Sequence, residues 1–260
     1  MKKTMLIKSS YLKEYIKKQS VPLVKHVNAL KEIPFNRETT KHFLSEGSAF
    51  SSMIEGNNIN FDEYLEYSST GTNTDSKSFL EIEDLIAAYK HAGNSDLNIN
   101  NFLKAHSILA RTLLPDAMYH GKVRDKEVHV FGGGVKIYTG ASPALVKEET
   151  DKLFNDIHTL LNRKMTISEV FYFASMIHLV LLKIHPFVDG NGRSSRLLEK
   201  WFIAQKSGKF AWFIPSEKLY HAKHKTYYKN MNVGEDYSSI NYDLSLPFLL
   251  LLPLALKVKK

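Results

Sequence analysis

The chain has no cysteine among its 260 residues. That excludes a disulfide framework and a thiolate metal site, and it fits a reducing compartment, so the expected location is cytoplasmic. The conspicuous apolar run Leu246–Leu256 is about half the length a bilayer-spanning helix needs, and Pro247 and Pro253 interrupt it. It reads as a buried C-terminal helix followed by a solvated tail, Lys257, Lys259 and Lys260, and no membrane partner is expected. The start, Met1-Lys2-Lys3-Thr4, is basic, but Lys8, Ser9 and Ser10 break the short apolar stretch behind it, so no signal peptide is expected. Internal repeats and domain-scale linkers are also missing.

What is there suits a globular protein. Hydrophobic residues make up 43% and aromatic residues 12%, enough for a packed core and too many for disorder. The net charge of +8 is spread along the chain, with modest clusters such as Lys223 and Lys225. Diffuse charge of this kind is a solvated surface and gives no nucleic-acid stripe, although it suits a phosphate-rich ligand.

Helical periodicity dominates. It predicts helices over Thr39–Glu55, ended by Gly56, and over Phe61–Tyr67, Phe79–His91, Phe102–Leu114 and Pro143–Asn162. The polar stretch Ser68–Ser78 reads as a surface loop. Thr166 and Glu169 form a capping box ahead of Val170–Ile184, a run apolar on nearly every side and therefore a central buried helix. Another helix opens near Asn191 and runs through Leu197, Trp201 and Ile203. The stretch from Gly121 to Gly140 departs from this pattern: Val128, Val130, Val135, Ile137 and Tyr138 flank Gly132-Gly133-Gly134, which predicts a small hairpin.

Between the two strong helices lies His185-Pro186-Phe187-Val188-Asp189-Gly190-Asn191-Gly192-Arg193-Ser194-Ser195-Arg196. A helix ends on a histidine, a Gly-Asn-Gly turn follows, and the free N–H groups of the next helix start form an anion nest. Arg193 and Arg196, one turn apart, present guanidinium forks suited to phosphate oxygens. Asp189 at the mouth suits Mg²⁺ beside phosphates, and His185 is a base titrating near neutrality. Taken singly, each feature is ordinary; within twelve positions they compose a polyphosphate cradle with a base.

This segment resembles the Fic family signature H-x-F-x-[D/E]-G-N-G-R-x-x-R at every fixed position. His120-Gly121-Lys122-Val123-Arg124 and Val128-His129-Val130-Phe131-Gly132 resemble the family's flap, which docks the target peptide. Ser51-Ser52-Met53-Ile54-Glu55-Gly56 resembles its inhibitory motif, [S/T]-x-x-x-E-[G/N], in the class whose inhibitory helix precedes the core. The resemblance implies an all-α, mainly helical Fic fold: a helical bundle around a central helix–loop–helix with one β-hairpin flap. It divides the chain into residues 1–100, carrying the inhibitory helix at about 39–55, and a core at 101–260, with the flap at about 121–140 and the catalytic loop at 185–196, in one compact unit.

The implied activity is protein adenylylation: AMP passes from ATP, with Mg²⁺, to a Tyr, Thr or Ser hydroxyl of a protein target. His185 is the implied base and Asp189 the metal ligand. Gly190, Asn191, Gly192, Arg193, Ser194, Ser195 and Arg196 hold the phosphates. The Asn191 side chain takes part, Phe187 anchors the loop, and Arg196 faces phosphate and solvent, separable from the core. Tyr227 and Asn232 border the adenine. Val128, His129, Val130 and Phe131 dock the target, and Ser51 and Glu55 restrain the enzyme. Self-modification and a homodimer are compatible with this scheme. Where many relatives carry Asn followed by Glu-Gly-Asp, this chain reads Asn232-Val233-Gly234-Glu235-Asp236, which leaves the adenine contact open in register. No winged-helix segment follows, so nucleic acid is not an expected partner. Removal of AMP, transfer of another phosphate-containing group and a non-catalytic nucleotide-binding regulator are the alternatives.

Overall fold

A computed structural model describes residues 5–258. The basic start Met1–Thr4 and the tail lysines Lys259 and Lys260 lie outside these residues. The chain opens with α1 (Leu12–Lys18), α2 (Leu23–Lys31) and α3 (Arg37–Ile54), then α4 (Phe61–Thr70), α5 (Lys77–Gly93) and α6 (Ile99–Leu109). The hairpin β1 (His129–Gly132) and β2 (Val135–Thr139) precedes α7 (Pro143–Leu161), α8 (Ile167–Ile184) and α9 (Asn191–Ser207). Four shorter helices close the described chain: α10 (Ser216–Ala222), α11 (His224–Met231), α12 (Leu246–Leu249) and α13 (Leu251–Leu254).

Short polar side chains set the helix starts. Asn36 accepts the Thr39 N–H at 2.8 Å and so begins α3 two residues before the apolar period does. Asn60 and Glu63 cap each other reciprocally at α4, and Thr166 and Glu169 do so at α8.

Several boundaries differ from the periodic reading. Helix α4 runs on to Thr70, where Gly71 turns left-handed at φ 75°, so the expected loop at 68–78 shrinks to residues 71–76. Helix α6 starts at Ile99 because Asn98 caps it, and it stops at Leu109 rather than Leu114. Beyond it, Thr112 gives its N–H to Asp84 Oδ2 (2.9 Å) instead of continuing the helix. The C-terminal apolar run is buried as expected, but it forms α12, α13 and a 3₁₀ turn, with a proline, which has no N–H to give, in each short helix.

Helix α8 is enclosed. It is long and apolar enough to cross a membrane, yet it packs on α1, α2, α7, α9, α12 and α13, and nearly every residue from Val170 to Ile184 is buried. Its most extensive partner is α9, joined to it by residues 185–190. A tight loop between two buried helices is therefore held from both sides. In the hairpin, Gly133 and Gly134 have φ of 58° and 81°, the two-residue turn that favours glycine. A register shift at Val130/Phe131 places one extra residue on β2.

Candidate functional site

Helix α8 ends on His185, which takes the left-handed conformation at φ 55°. Such a conformation in a non-glycine residue is costly and persists only where its surroundings enforce it. Here Arg124, itself buried, donates from Nε to the His185 carbonyl at 2.7 Å, and its other nitrogens reach the carbonyls of Ala141, Ile184 and Lys126. The His185 Nδ1 meets the Leu182 carbonyl at 3.2 Å. A carbonyl only accepts, so Nδ1 carries the proton and Nε2 keeps its lone pair. Burial pushes the His185 pKa down to about 4, with Arg124 and Lys183 adding to it against the Leu182 carbonyl and Glu55.

The loop is stapled from within. Asn191 accepts the Phe187 N–H and donates to the Phe187 carbonyl, both at 2.9 Å. Its side chain is thus committed to the loop, and only its main chain remains for a phosphate, a correction to the sequence expectation. Phe187 is fully buried, as expected, and stacks on His106 with centroids 3.5 Å apart. His106 spans two segments: Nδ1 receives the Gly121 N–H (3.0 Å), and Nε2 faces the Asp189 carbonyl (3.0 Å). Burial lowers its pKa to about 4, so it is a neutral strut. Asp189 is exposed, with Oδ1 taking the Gly190 N–H at 2.6 Å. The first helical bond of α9 runs from the Ser194 N–H to the Gly190 carbonyl, which leaves the N–H groups of Asn191, Gly192 and Arg193 as the nest.

Arg196 is 1% exposed. Its Nε donates to Ser51 Oγ (2.8 Å), its Nη2 to the Ser51 carbonyl (2.9 Å) and to Glu55 Oε1 (2.7 Å), and its Nη1 to the Tyr227 hydroxyl (3.4 Å). The expectation of a solvent-facing guanidinium separable from the core is therefore wrong; α3 and α11 enclose it. Glu55 caps α3, and its side chain keeps 28% exposure. Burial alone would raise its pKa, but the charge and hydrogen bond of Arg196, with Arg193 and His185, hold it below the usual carboxylate range. Arg193 turns the other way, toward Glu81 Oε2 at 3.2 Å.

A cavity of about 310 Å³ gathers Glu55, His185, Gly192, Arg196, Tyr227, Tyr228, Asn232 and, from the hairpin side, Val130, Phe131, Ile137 and Tyr138. Among the expected contact residues, the Ser195 hydroxyl bonds back to the Asn191 carbonyl (2.8 Å) and the Ser194 hydroxyl is buried, so neither is aimed at a ligand. Val128 and His129 lie outside the cavity; His129 bonds Thr139 Oγ1 at 3.1 Å.

The sequence reading missed the support beneath Arg196. Tyr227 OH meets His178 Nε2 at 2.9 Å, and His178 Nδ1 meets Glu199 Oε2 at 2.8 Å. Tyr220 donates to the same carboxylate at 2.9 Å. Tyr227 is thus foremost a prop for the arginine, stacked on Tyr220 at 4.6 Å. One signal was available: His178 and Glu199 are polar residues inside otherwise apolar helix faces, and buried polar groups need partners.

Comparison with known proteins gives a partial match. Residues 96–203 match the Fic/DOC family model. The chain is similar to proteins named "Protein adenylyltransferase Fic" from Aedes aegypti (33% identity over 56% of this chain) and Drosophila melanogaster (30% over 65%). It spans about a third of those relatives' own length, 29% and 34%. In fold it is similar to a Fic family protein from Desulfovibrio desulfuricans (TM-score 0.72, 19% identity, 90% of this chain and 70% of that one). A Fic domain-containing signaling protein from Bacteroides thetaiotaomicron also shares the fold (TM-score 0.66, 18% identity, 95% and 96%).

Proposed function

We propose, from the match of residues 96–203 to the Fic/DOC family model, that the protein is an ATP-dependent protein adenylyltransferase restrained by Glu55. The observation that carries this reading is the Glu55–Arg196 contact of 2.7 Å in the cavity that also holds His185. In the proposed reaction, a target hydroxyl gives its proton to His185 Nε2 as its oxygen bonds the α-phosphorus. The bond from that phosphorus to the α–β bridging oxygen breaks, and pyrophosphate leaves. Catalysis of this kind is mostly positioning and charge stabilisation. The nest N–H groups and Arg196 bind phosphate oxygens, Tyr227 and Asn232 line the nucleotide side, and Val130 and Phe131 the target side.

The donor set fits Mg²⁺ as a partner of the nucleotide. Asp189 offers one exposed carboxylate, and the described residues contain no cluster of three or more metal-ligating side chains, so the remaining ligands would be phosphate and water. Asp189 would hold the ion, which would supply neutralisation of charge on the phosphates.

Glu55 takes the Arg196 fork that a phosphate needs and repels phosphate by like charge. Incubation with α-labelled ATP and Mg²⁺ should give weak labelling by wild type, strong labelling by Glu55→Gly, including of itself, and none by Glu55→Gly/His185→Ala, since removal of a general base costs about 10²–10⁴-fold. Equal labelling by wild type and Glu55→Gly overturns the restraint; labelling that survives His185→Ala overturns the role of His185 as base and the assignment of roles built on it. The partial exposure of Glu55 beside His185 also suits orientation of a water for AMP removal, which release of AMP from a labelled protein would reveal.

A further inference from the structure

Two lysines among the described residues are buried. Lys200 is paired with Glu217 at 2.6 Å, as a buried ammonium ordinarily must be. Lys183, at 6% exposure, has no carboxylate or hydrogen-bond acceptor among the described residues. Its Nζ rests 4.0 Å from the centroid of the Tyr138 ring, and Tyr138 in turn donates its hydroxyl to the Lys183 carbonyl at 2.7 Å. A ring face and the C-terminal end of α8 offset only part of the cost of burying a charge. Burial lowers the Lys183 pKa to about 8, which leaves the ammonium form dominant at pH 7. Lys183 also lines the cavity that holds His185. This is a cation kept out of bulk water, open to the site, and lacking its anion.

From this placement we infer that Lys183 is a specificity residue that receives the carboxylate of an Asp or Glu next to the hydroxyl presented to His185. The inference rests on the transferase reading above. The hairpin, not the phosphate nest, supplies its surroundings: Nζ lies on Tyr138 of β2, and Phe131 and Ile137 of the same hairpin border the cavity and are exposed. The opposite end already has the nest and Arg196 for phosphate. Lys183 and His185 line the same cavity and the lysine charge acts on the imidazole, so an anion bound to Lys183 acts on the base as well. Burial is the main reason His185 is weakly basic, and a carboxylate there would offset the smaller part that the Lys183 charge adds.

The test measures AMP transfer in the Glu55→Gly background to peptides carrying one hydroxyl residue flanked by Glu, Gln or Lys. A charge-assisted contact predicts kcat/KM on the order of ten-fold higher for the Glu peptide than for its Gln twin. Lys183→Met should erase that preference, Lys183→Arg keep it, and Lys183→Glu reverse it in favour of the Lys peptide. The Arg variant guards against a mere folding defect, because it retains bulk and charge. Self-labelling by the background protein with no preference between the Glu and Gln peptides overturns the role of Lys183 alone, as does a preference that survives Lys183→Met. Absence of both self-labelling and peptide labelling overturns the transferase reading and this inference with it.

Discussion

The carboxylate of Glu55 occupies the space that a side chain on residue 192 would need. A Cβ at Gly192 would lie 2.1 Å from Glu55 Oε1 and 3.2 Å from Arg196 Nη1. The glycine therefore serves two partners: it opens the start of α9 to an anion, and it lets α3 bring its own carboxylate to that spot. A helix start that attracts negative charge does not distinguish a phosphate from an internal carboxylate.

Removal of that carboxylate should strengthen nucleotide binding. Glu55→Gly is expected to lower the Kd for a non-hydrolysable ATP analogue on the order of ten-fold, the scale of one charge-assisted contact. Titration calorimetry checks this. In an Arg196→Lys background the same change should gain less, because the fork that Glu55 occupies is already gone.

The same ion pair has an acid signature. The Glu55 pKa is lowered on folding, so its contribution to stability is present above the unfolded value of 4.5 and is lost as pH falls through the lower folded value. The melting temperatures of wild type and Glu55→Gln should differ at pH 7 and converge below pH 4.5, in thermal scans across that range.

His106 acts over a different window. Its pKa falls from 6.5 to about 4 on folding, so the unfolded chain takes up a proton that the native state refuses. Stability should be lost as pH falls from 6.5 to 4, by roughly 3 kcal/mol for this group. Urea unfolding of His106→Gln should show a shallower loss over that window than wild type; parallel curves would assign the proton elsewhere.

Arg196→Ala should both unfold and disable. The side chain is fully enclosed, and its removal strands Ser51, Tyr227 and Glu55, at a cost of about 3 kcal/mol. A melting temperature lower by several degrees, together with weaker nucleotide binding, is the expected pair of results. An unchanged melting temperature would contradict the enclosure.

Tyr227→Phe isolates the prop from the fork. It deletes the hydroxyl between Arg196 and His178 and leaves the His178 Nε2 unsatisfied, at about 1–3 kcal/mol. Because the ring remains, the expected kinetic mark is a raised KM for ATP with less effect on kcat.

How much of this was legible depended on whether the signal was local. The capping box at Thr166 and Glu169, the apolar run that became α8, and the glycine-tipped hairpin each write their structure into neighbouring residues, and each formed as read. The twelve-residue loop announced an anion nest for the same reason. What was hidden depends on distant partners. Arg196 looked like a surface arginine because Ser51, whose hydroxyl and carbonyl enclose its guanidinium, stands more than a hundred positions away. Asn191 looked free because its tie to Phe187 is a feature of the folded loop. The end of α6 was misplaced because Asp84, on another helix, diverts Thr112.

The hairpin joins the body of the molecule near its base, through Tyr138, Thr139 and Gly140, while Phe131, Val135 and Ile137 stand largely in solvent. Surface substitutions away from such joints usually change stability by no more than about 0.5 kcal/mol. His185, by contrast, is fixed by main-chain carbonyls and buried helices. Phe131, Val135 and Ile137 can therefore vary in sequence at little cost to the fold while His185 stays in place, so that this surface and the buried loop are free to change at different rates within one chain.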